Sequence, residues 1–260
     1  MRFLIKEPAR AAQLTAMFTQ LKSFADLIVL RPGEEGVWMQ CMDAAQVCLF
    51  DSILSASWFD EYECPEADGE SSTTAGVGVV PRVMAMVLGT WREGQSIEVK
   101  ADTSDKLTVT LAGDPNHLDK FFEVQRVDSD AETLDLSGKG ESQIDLVLAT
   151  KRMTELVGQL LIFDSVLRVE FGEDSISFES QGEEGALKVD VALDDVTEYA
   201  ILTPLNQQFS LSYLQTMCGF GKLAPEIMMK FSKDQPMEVR YELGDKSHAT
   251  LYLAPKIADD

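Results

Sequence analysis

The sequence predicts an α+β protein of two similar domains, each combining helices with short antiparallel strands. Three features predict it: a segment that recurs at fixed spacing, a helix-then-strands order in each half, and an irregular acidic stretch between the halves. Leu14–Met42 matches Met153–Gln181 without gaps at an offset of 139 residues. Thr15, Gln20, Leu21, Phe24, Gly33 and Glu34 meet Thr154, Gln159, Leu160, Phe163, Gly172 and Glu173. The apolar positions Leu14, Met17, Leu27 and Ile28 meet Met153, Leu156, Val166 and Leu167. A second match sets Ile97, Lys100 and Val109 against Ile227, Lys230 and Val239 at an offset of 130. Similar halves in one order mean one supersecondary plan used twice, with chance likeness between amphipathic segments as the alternative.

The first helix is expected over Pro8–Phe24, where Leu14, Met17, Leu21 and Phe24 share one stripe. Alternating strands follow over Ile28–Arg31, Val37–Met42 and Val47–Asp51. A second helix, Val80–Arg92, opens with a proline at a tolerated first-turn position. Strands Ser96–Ala101, Lys106–Gly113 and Lys120–Val127 close the first half. The second half repeats this with helices Lys151–Phe163 and Ser210–Lys222. Its strands are expected near Val166–Phe171, Ser175–Ser180, Ala186–Leu193, Glu226–Phe231, Met237–Glu242 and His248–Leu253. Residues 128–142, DSDAETLDLSGKGES, are acidic and serine/glycine-rich and read as an exposed connector. The expected domains are therefore 1–127 and 143–260. Leu134 and Leu136 are the apolar exceptions in the connector; anchoring it to its own domain and binding a partner both remain open.

Composition narrows the function. At 260 residues, 45% hydrophobic and 25% charged, the chain is long enough for two modest globular domains. No apolar run reaches the ~18 residues that cross a membrane, and MRFLIKEPAR is no secretory signal. Cys41, Cys48, Cys64 and Cys218 show no zinc-ribbon spacing, which fits a reducing compartment. With only His117 and His248, a multi-histidine metal site or a Ser-His-Asp triad has little to draw on. No G-x-x-x-x-G-K-[ST] loop occurs. Asp60, Glu61, Glu63 and Glu66, the pair Asp194–Asp195, and the pair Glu183–Glu184 offer carboxylates for Mg²⁺ chemistry, but beside glycine and proline they read as solvated loop charge. No cofactor or metal is expected, and no enzymatic activity.

The net charge is −22, yet it is unevenly placed. The four expected helices hold Arg10, Lys22, Arg82, Arg92, Lys151, Arg152 and Lys222 against one acid, Glu155. That is +6 on the helices and −28 on everything else. Random clustering of so few charges is the alternative. Helices that shared one side would make that side basic, and a basic face meets a phosphate backbone without reading sequence.

With these features in place, the chain resembles the proliferating-cell-nuclear-antigen (PCNA) family of sliding clamps over nearly its whole length. Leu251-Tyr252-Leu253-Ala254-Pro255-Lys256-Ile257 with its acidic end is similar to the family's C-terminus. Cys41-Met42-Asp43-Ala44-Ala45-Gln46-Val47-Cys48-Leu49 resembles its S-M-D-x-x-H-V-x-L segment, and Pro236 and the acidic Leu-x-Leu connector fall where the family has them. The resemblance implies the DNA-clamp fold: helices lining an inner face, antiparallel sheets outside, and a head-to-tail homotrimeric ring around double-stranded DNA. Twelve helices about 10 Å wide would leave an opening of roughly 28 Å, enough for a B-form duplex. Arg10, Lys22, Arg82, Arg92, Lys151, Arg152 and Lys222 would face the DNA.

The resemblance also implies an apolar pocket for short client motifs of a glutamine, an aliphatic residue and two aromatics. By matching position its residues are Met42, Gln46, Leu49, Leu134, Leu136, Pro236, Tyr252, Ala254, Pro255 and Ile257. Packing of the C-terminal strand is the alternative role for Leu49 and Pro236. The implied partners are DNA polymerase, clamp loader, flap nuclease and ligase, in a nuclear or viral replication compartment. Subunit contacts would use edge strands near His117–Gln125, with Phe121 and Phe122, and near Asp174–Gln181, with Ile176 and Phe178. Core packing for one of the two phenylalanines is expected, since alternate residues face opposite ways. Gln46 departs from the family's histidine, and Glu155 intrudes on a basic helix. Leu88–Gly94 and Pro65–Thr73 look longer than usual, which suits a divergent, viral member. Two other readings stand beside the homotrimer: a subunit of a heterotrimeric checkpoint-type clamp, and an acidic DNA mimic.

Overall fold

The computed structural model describes residues 1–64, 76–101, 105–127, 133–136 and 140–256. Among the described residues, eighteen strands and four α-helices run in an order that repeats itself. The first half holds β1 (Arg2–Ile5), α1 (Pro8–Phe24), β2 (Ile28–Gly33), β3 (Gly36–Met42), β4 (Cys48–Ser55), β5 (Glu61–Glu63), β6 (Val77–Val79), α2 (Pro81–Leu88), β7 (Ser96–Ala101), β8 (Lys106–Ala112) and β9 (Lys120–Gln125). The second half holds β10 (Ile144–Ala149), α3 (Thr150–Leu160), β11 (Val166–Gly172), β12 (Ser175–Gly182), β13 (Gly185–Val191), β14 (Glu198–Ile201), β15 (Leu205–Ser210), α4 (Leu211–Cys218), β16 (Glu226–Phe231), β17 (Met237–Gly244) and β18 (Ser247–Leu253). Each element of one half has its counterpart in the other. A one-turn 3₁₀ helix after β4 (Ala56–Trp58) is matched by one after β13 (Leu193–Asp195). The offset of 139 carries β2 and β3 onto β11 and β12, and the offset of 130 carries β7 onto β16.

The chain forms two compact units: Met1–Ala44, Phe50–Thr133 and Glu242–Ala249 make the first; Ala45–Leu49, Leu134–Tyr241 and Thr250–Asp260 make the second. Each therefore includes a short segment from the other end of the chain, which no reading of sequence order provides. Both units follow one pairing plan. In the first, β5-β1-β7-β8-β9 form a five-stranded sheet and β6-β2-β3-β4 lie side by side in another. In the second, β14-β10-β16-β17 and β15-β11-β12-β13 repeat those neighbours. All registered pairs are antiparallel.

The first unit buries Ala11, Leu14, Met17, Phe18, Leu21 and Phe24 along one face of α1. These meet α2, β1 and β7, so helices and strands share one core. Proline at the start of both α1 and α2 sits where its missing N–H is an orphan anyway. In the second unit Phe171, Phe209 and Phe231 cluster, with ring centroids 4.7 Å apart for Phe171–Phe231 and 6.0 Å for Phe209–Phe231. A tyrosine fastens the same hairpin in each unit. Tyr62 Oη lies 2.8 Å from the carbonyl oxygens of both Gly33 and Gly36, and Tyr199 Oη donates to Gly172 O at 2.7 Å.

The helices that were expected at Val80–Arg92, Lys151–Phe163 and Ser210–Lys222 end earlier, at Leu88, Leu160 and Cys218. Glycines at positions 89 and 219 follow two of them as capping residues. Strands β1, β5, β6, β10, β14 and β15 have no counterpart among the sequence expectations; β5 and β6, at three residues each, are too short for alternation to register. Residues 65–73, most of the connector and Ile257 lie outside the described residues.

Candidate nucleic-acid interface and partner groove

Within each unit the two α-helices are neighbours, α1 beside α2 and α3 beside α4. Lys22, on the last turn of α1, and Arg82, on the first of α2, are exposed and make no ion pair among the described residues. Lys151 and Arg152 open α3. Lys151 stays almost fully exposed, with its Nζ 3.9 Å from Glu155 Oε1. Arg152 is held by Asp195, 2.8 Å to a carboxylate oxygen and 2.7 Å to its carbonyl. Lys222 is exposed in the 3₁₀ turn that follows α4, so α4 itself carries no cation. Arg92 lies beyond the end of α2, where its guanidinium donates to Gly89 O at 3.3 Å and Trp91 O at 2.8 Å.

Arg10 departs from the sequence expectation. Its guanidinium pairs with Glu7 at 2.7 Å and Asp245 at 2.8 Å and donates to Trp58 O at 2.6 Å. Asp245 sits in the tight β17–β18 turn, where both Asp245 and Lys246 have positive φ. Arg10 therefore ties the start of α1 to that turn and to the Trp58 segment. The sequence shows the cation but not the four acceptors that the fold gathers around it, the Ser57 carbonyl at 3.4 Å included.

The expected strand edges divide in the same way. Phe121 is 73% exposed on β9, which ends its sheet, and the preceding Leu118 is 85% exposed. Phe122 is half-buried, as strand alternation requires. The expectation for Ile176 and Phe178 is corrected: they are 1% and 0% exposed. Their strand, β12, is paired on both sides, by β11 and β13, and Phe178 packs edge-on against Phe171. The edge of that sheet next to β12 is β13, whose exposed residues include Ala186, Lys188 and Asp190, and β15 is the opposite edge. Adjacent apolar runs in a two-layer sheet do not say which strand is last, and sheet order supplies it.

Several expected pocket residues come together in the second unit. The Ala254 amide donates to Val47 O at 3.2 Å, which sets Gln46–Leu49 against the C-terminal segment. The Lys256 amide donates to Gln208 O at 2.7 Å and continues the anchoring. Leu251 and Leu253 point into the core, which turns the half-buried Tyr252 outward with Ala254 and Pro255. Gln46 is exposed in a left-handed turn, at φ 58°. Leu134 is half-exposed and Leu136 partly buried. Leu49 is buried at 5% exposure, as the packing alternative has it. Met42 belongs to the first unit. Pro236 is exposed and also lines a cavity of about 610 Å³ with Gln143, Asp145, Ile201, Lys230 and Glu238. Among the described residues no group of three or more His, Cys, Asp and Glu side chains is placed to hold a metal ion.

Comparison with known proteins places this geometry. Residues 6–133 match the family description "Proliferating cell nuclear antigen, N-terminal domain", and residues 141–256 match the corresponding C-terminal domain. The chain belongs to the PCNA family of sliding clamps. It is similar to the "DNA polymerase sliding clamp" of Pyrococcus abyssi, 25% identical over 258 residues covering 94% of this chain and 98% of the relative. The "Proliferating cell nuclear antigen" of Chaetomium thermophilum is 24% identical over 236 residues, 88% of each chain. "Proliferating cell nuclear antigen 2" of Drosophila melanogaster is 22% identical over 230 residues, 87% of each chain. The tyrosines of the two hairpin latches escaped the sequence reading. Tyr62 and Tyr199 are 137 residues apart, close to the repeat offset, and that near-match was the available signal. Among the described residues, no helix is long and apolar enough to cross a membrane.

Proposed function

We propose that this chain is a non-catalytic clamp subunit that closes with two further copies into a ring around duplex DNA and tethers replication and repair proteins. The observation that carries the proposal is a mismatch between the repeat-equivalent strand ends. In the first unit β4 has the start of β18 beside it: Ser52 Oγ donates to His248 O at 2.7 Å, and the Ser55 amide donates to Ser247 Oγ at 2.8 Å. By the repeat, β18 corresponds to β9 and β4 corresponds to β13. Each of β9 and β13 ends its sheet, opposite β5 and β15 respectively. Pairing β9 of one copy with β13 of the next reproduces between chains what β18 and β4 do within one. Such a heterologous contact closes into a ring when three equal rotations complete a full turn, and it covers two edges that otherwise invite aggregation.

Charge supports what the ring holds. Lys22, Arg82, Lys151 and Lys222 are exposed on or next to the helices of a chain whose net charge is −22. Cations on helix faces attract phosphates without base readout, and an acidic remainder repels the duplex, so the DNA is retained yet slides. Clients such as polymerase, clamp loader, flap nuclease and ligase would seat aliphatic and aromatic anchors against Tyr252, Ala254, Pro255 and the Gln46 turn. A nuclear or viral replication compartment is the setting for this work.

Native mass measurement on the purified chain tests assembly: a species at three times 28.7 kDa is expected. A persistent monomer would point instead to a heteromeric clamp, and would count against the homotrimer. Loading onto nicked circular DNA, with loss when the circle is cut, tests encirclement. A DNA mimic would show no retention on either form.

A further inference from the structure

Phe121 and Phe122 are adjacent on an end strand, so the sequence leaves undecided which of them faces outward. A slip of one residue would exchange their sides along with every other side chain of β9. Among the described residues only β8 pairs with this strand, through Leu111↔Lys120 to Lys106↔Gln125, so its ladder is one-sided up to the isolated Gly78↔Val127 bridge beyond its end. Something besides the ladder has to set its parity.

We infer that Gln95 and Lys120 form a register pin that turns Phe121 toward the neighbouring copy. The inference rests on the ring reading above. Gln95 is 1% exposed at the entry to β7. Its Oε1 accepts from the Arg92 amide at 3.2 Å and from Lys120 Nζ at 3.1 Å. Its Nε2 donates to Leu118 O at 2.9 Å and to Leu111 O at 3.5 Å. The amide thus uses both acceptor positions and both donors, which fixes its orientation. Lys120 Nζ donates in addition to Thr90 O at 2.8 Å.

The first side chain of β9 is thereby drawn inward onto the turn that follows α2. Strand alternation then sends Phe121 outward and Val124 inward, where it is 5% exposed. The carbonyl of Leu118 is held by the same amide, so the two exposed apolar residues flank a fixed point. An edge held in its pairing conformation before association loses less conformational entropy on assembly. Gln95 and Lys120 are positioning residues in this account. They touch no partner, and they decide which surface the partner meets.

The test compares wild type with Gln95→Met, Lys120→Met and Lys120→Arg by mass photometry over a dilution series. Amide hydrogen exchange is followed at β7 and β9. Both methionine variants are expected to weaken the trimer at least about tenfold, the effect of roughly 1.4 kcal/mol. They should also speed exchange at residues 121–124 while β7 stays protected. Lys120→Arg, which can still donate to Thr90 O and Gln95 Oε1, should assemble near the wild-type concentration. Methionine variants that melt earlier yet assemble like wild type would overturn the inference, leaving Gln95 as core packing alone. A wild type that never exceeds monomer removes the ring itself, and the pin's purpose with it.

Discussion

Replacing Phe121 with threonine separates assembly from folding. Phe121 is 73% exposed, so within one chain it contributes little core burial. Fully burying a phenylalanine is worth about 1.5–3 kcal/mol, and nearly three-quarters of that surface would be covered by the neighbouring copy in the proposed ring. Each interface therefore loses roughly 1–2 kcal/mol on substitution. The proposed ring has three such interfaces, for a total of about 3–6 kcal/mol, which would raise its dissociation constant by roughly 10² to 10⁴. Threonine keeps strand propensity, so β9 itself should persist. Sedimentation velocity across a dilution series reads the dissociation constant, and circular dichroism on the dilute variant reads the fold. Assembly at the wild-type concentration would refute the reasoning, because the exposed ring would then face solvent in the oligomer as well. Loss of the cooperative melt would refute it differently, by placing Phe121 in the core.

Gly36→Ala should destabilise by about 3 kcal/mol or more, since a Cβ there meets Leu54 O at 2.1 Å and Ser55 Cα at 2.7 Å with φ at 141°. Gly113→Ala has a positive φ of 97° but nothing within 4 Å, so urea denaturation should show only the backbone strain of about 1–2 kcal/mol. Arg10→Ala should lower the melting temperature by the equivalent of about 1–3 kcal/mol through loss of the donor to its four acceptors, whereas Lys22→Ala leaves melting unchanged and weakens retention on closed circular DNA. Equal melting of the two variants would return Arg10 to the DNA-facing set. The Asn116 amide, followed by His117, holds the Asp114 carboxyl below its ordinary value of 3.8. Its stabilising contribution is therefore complete above pH ~4 and disappears as pH falls through the lower folded value. Asp114→Asn should flatten the acid limb of the stability profile below that pH, measured by melting temperature from pH 2 to 6.

Much of the architecture was readable from the chain because it is written in local patterns. The stripe Leu14, Met17, Leu21 and Phe24 defined α1 to the residue, and all four of those side chains are buried. The repeat offsets located β2, β3 and β7 on their counterparts. The C-terminal motif gave the family before any coordinate did. Alternation also foresaw that one of Phe121 and Phe122 would face inward.

What the tertiary structure decided concerns partners distant in sequence. Arg10 looks like a free cation until Asp245 and the Trp58 carbonyl arrive beside it. Ile176 and Phe178 look like edge residues until β13 covers their strand on the far side. The exchange of Ala45–Leu49 and Glu242–Ala249 between the units follows from sheet order, which depends on pairing between strands far apart in the chain. Periodicity along a chain reports which side of an element is buried, but only the packed sheets fix what lies against it and where the last strand ends.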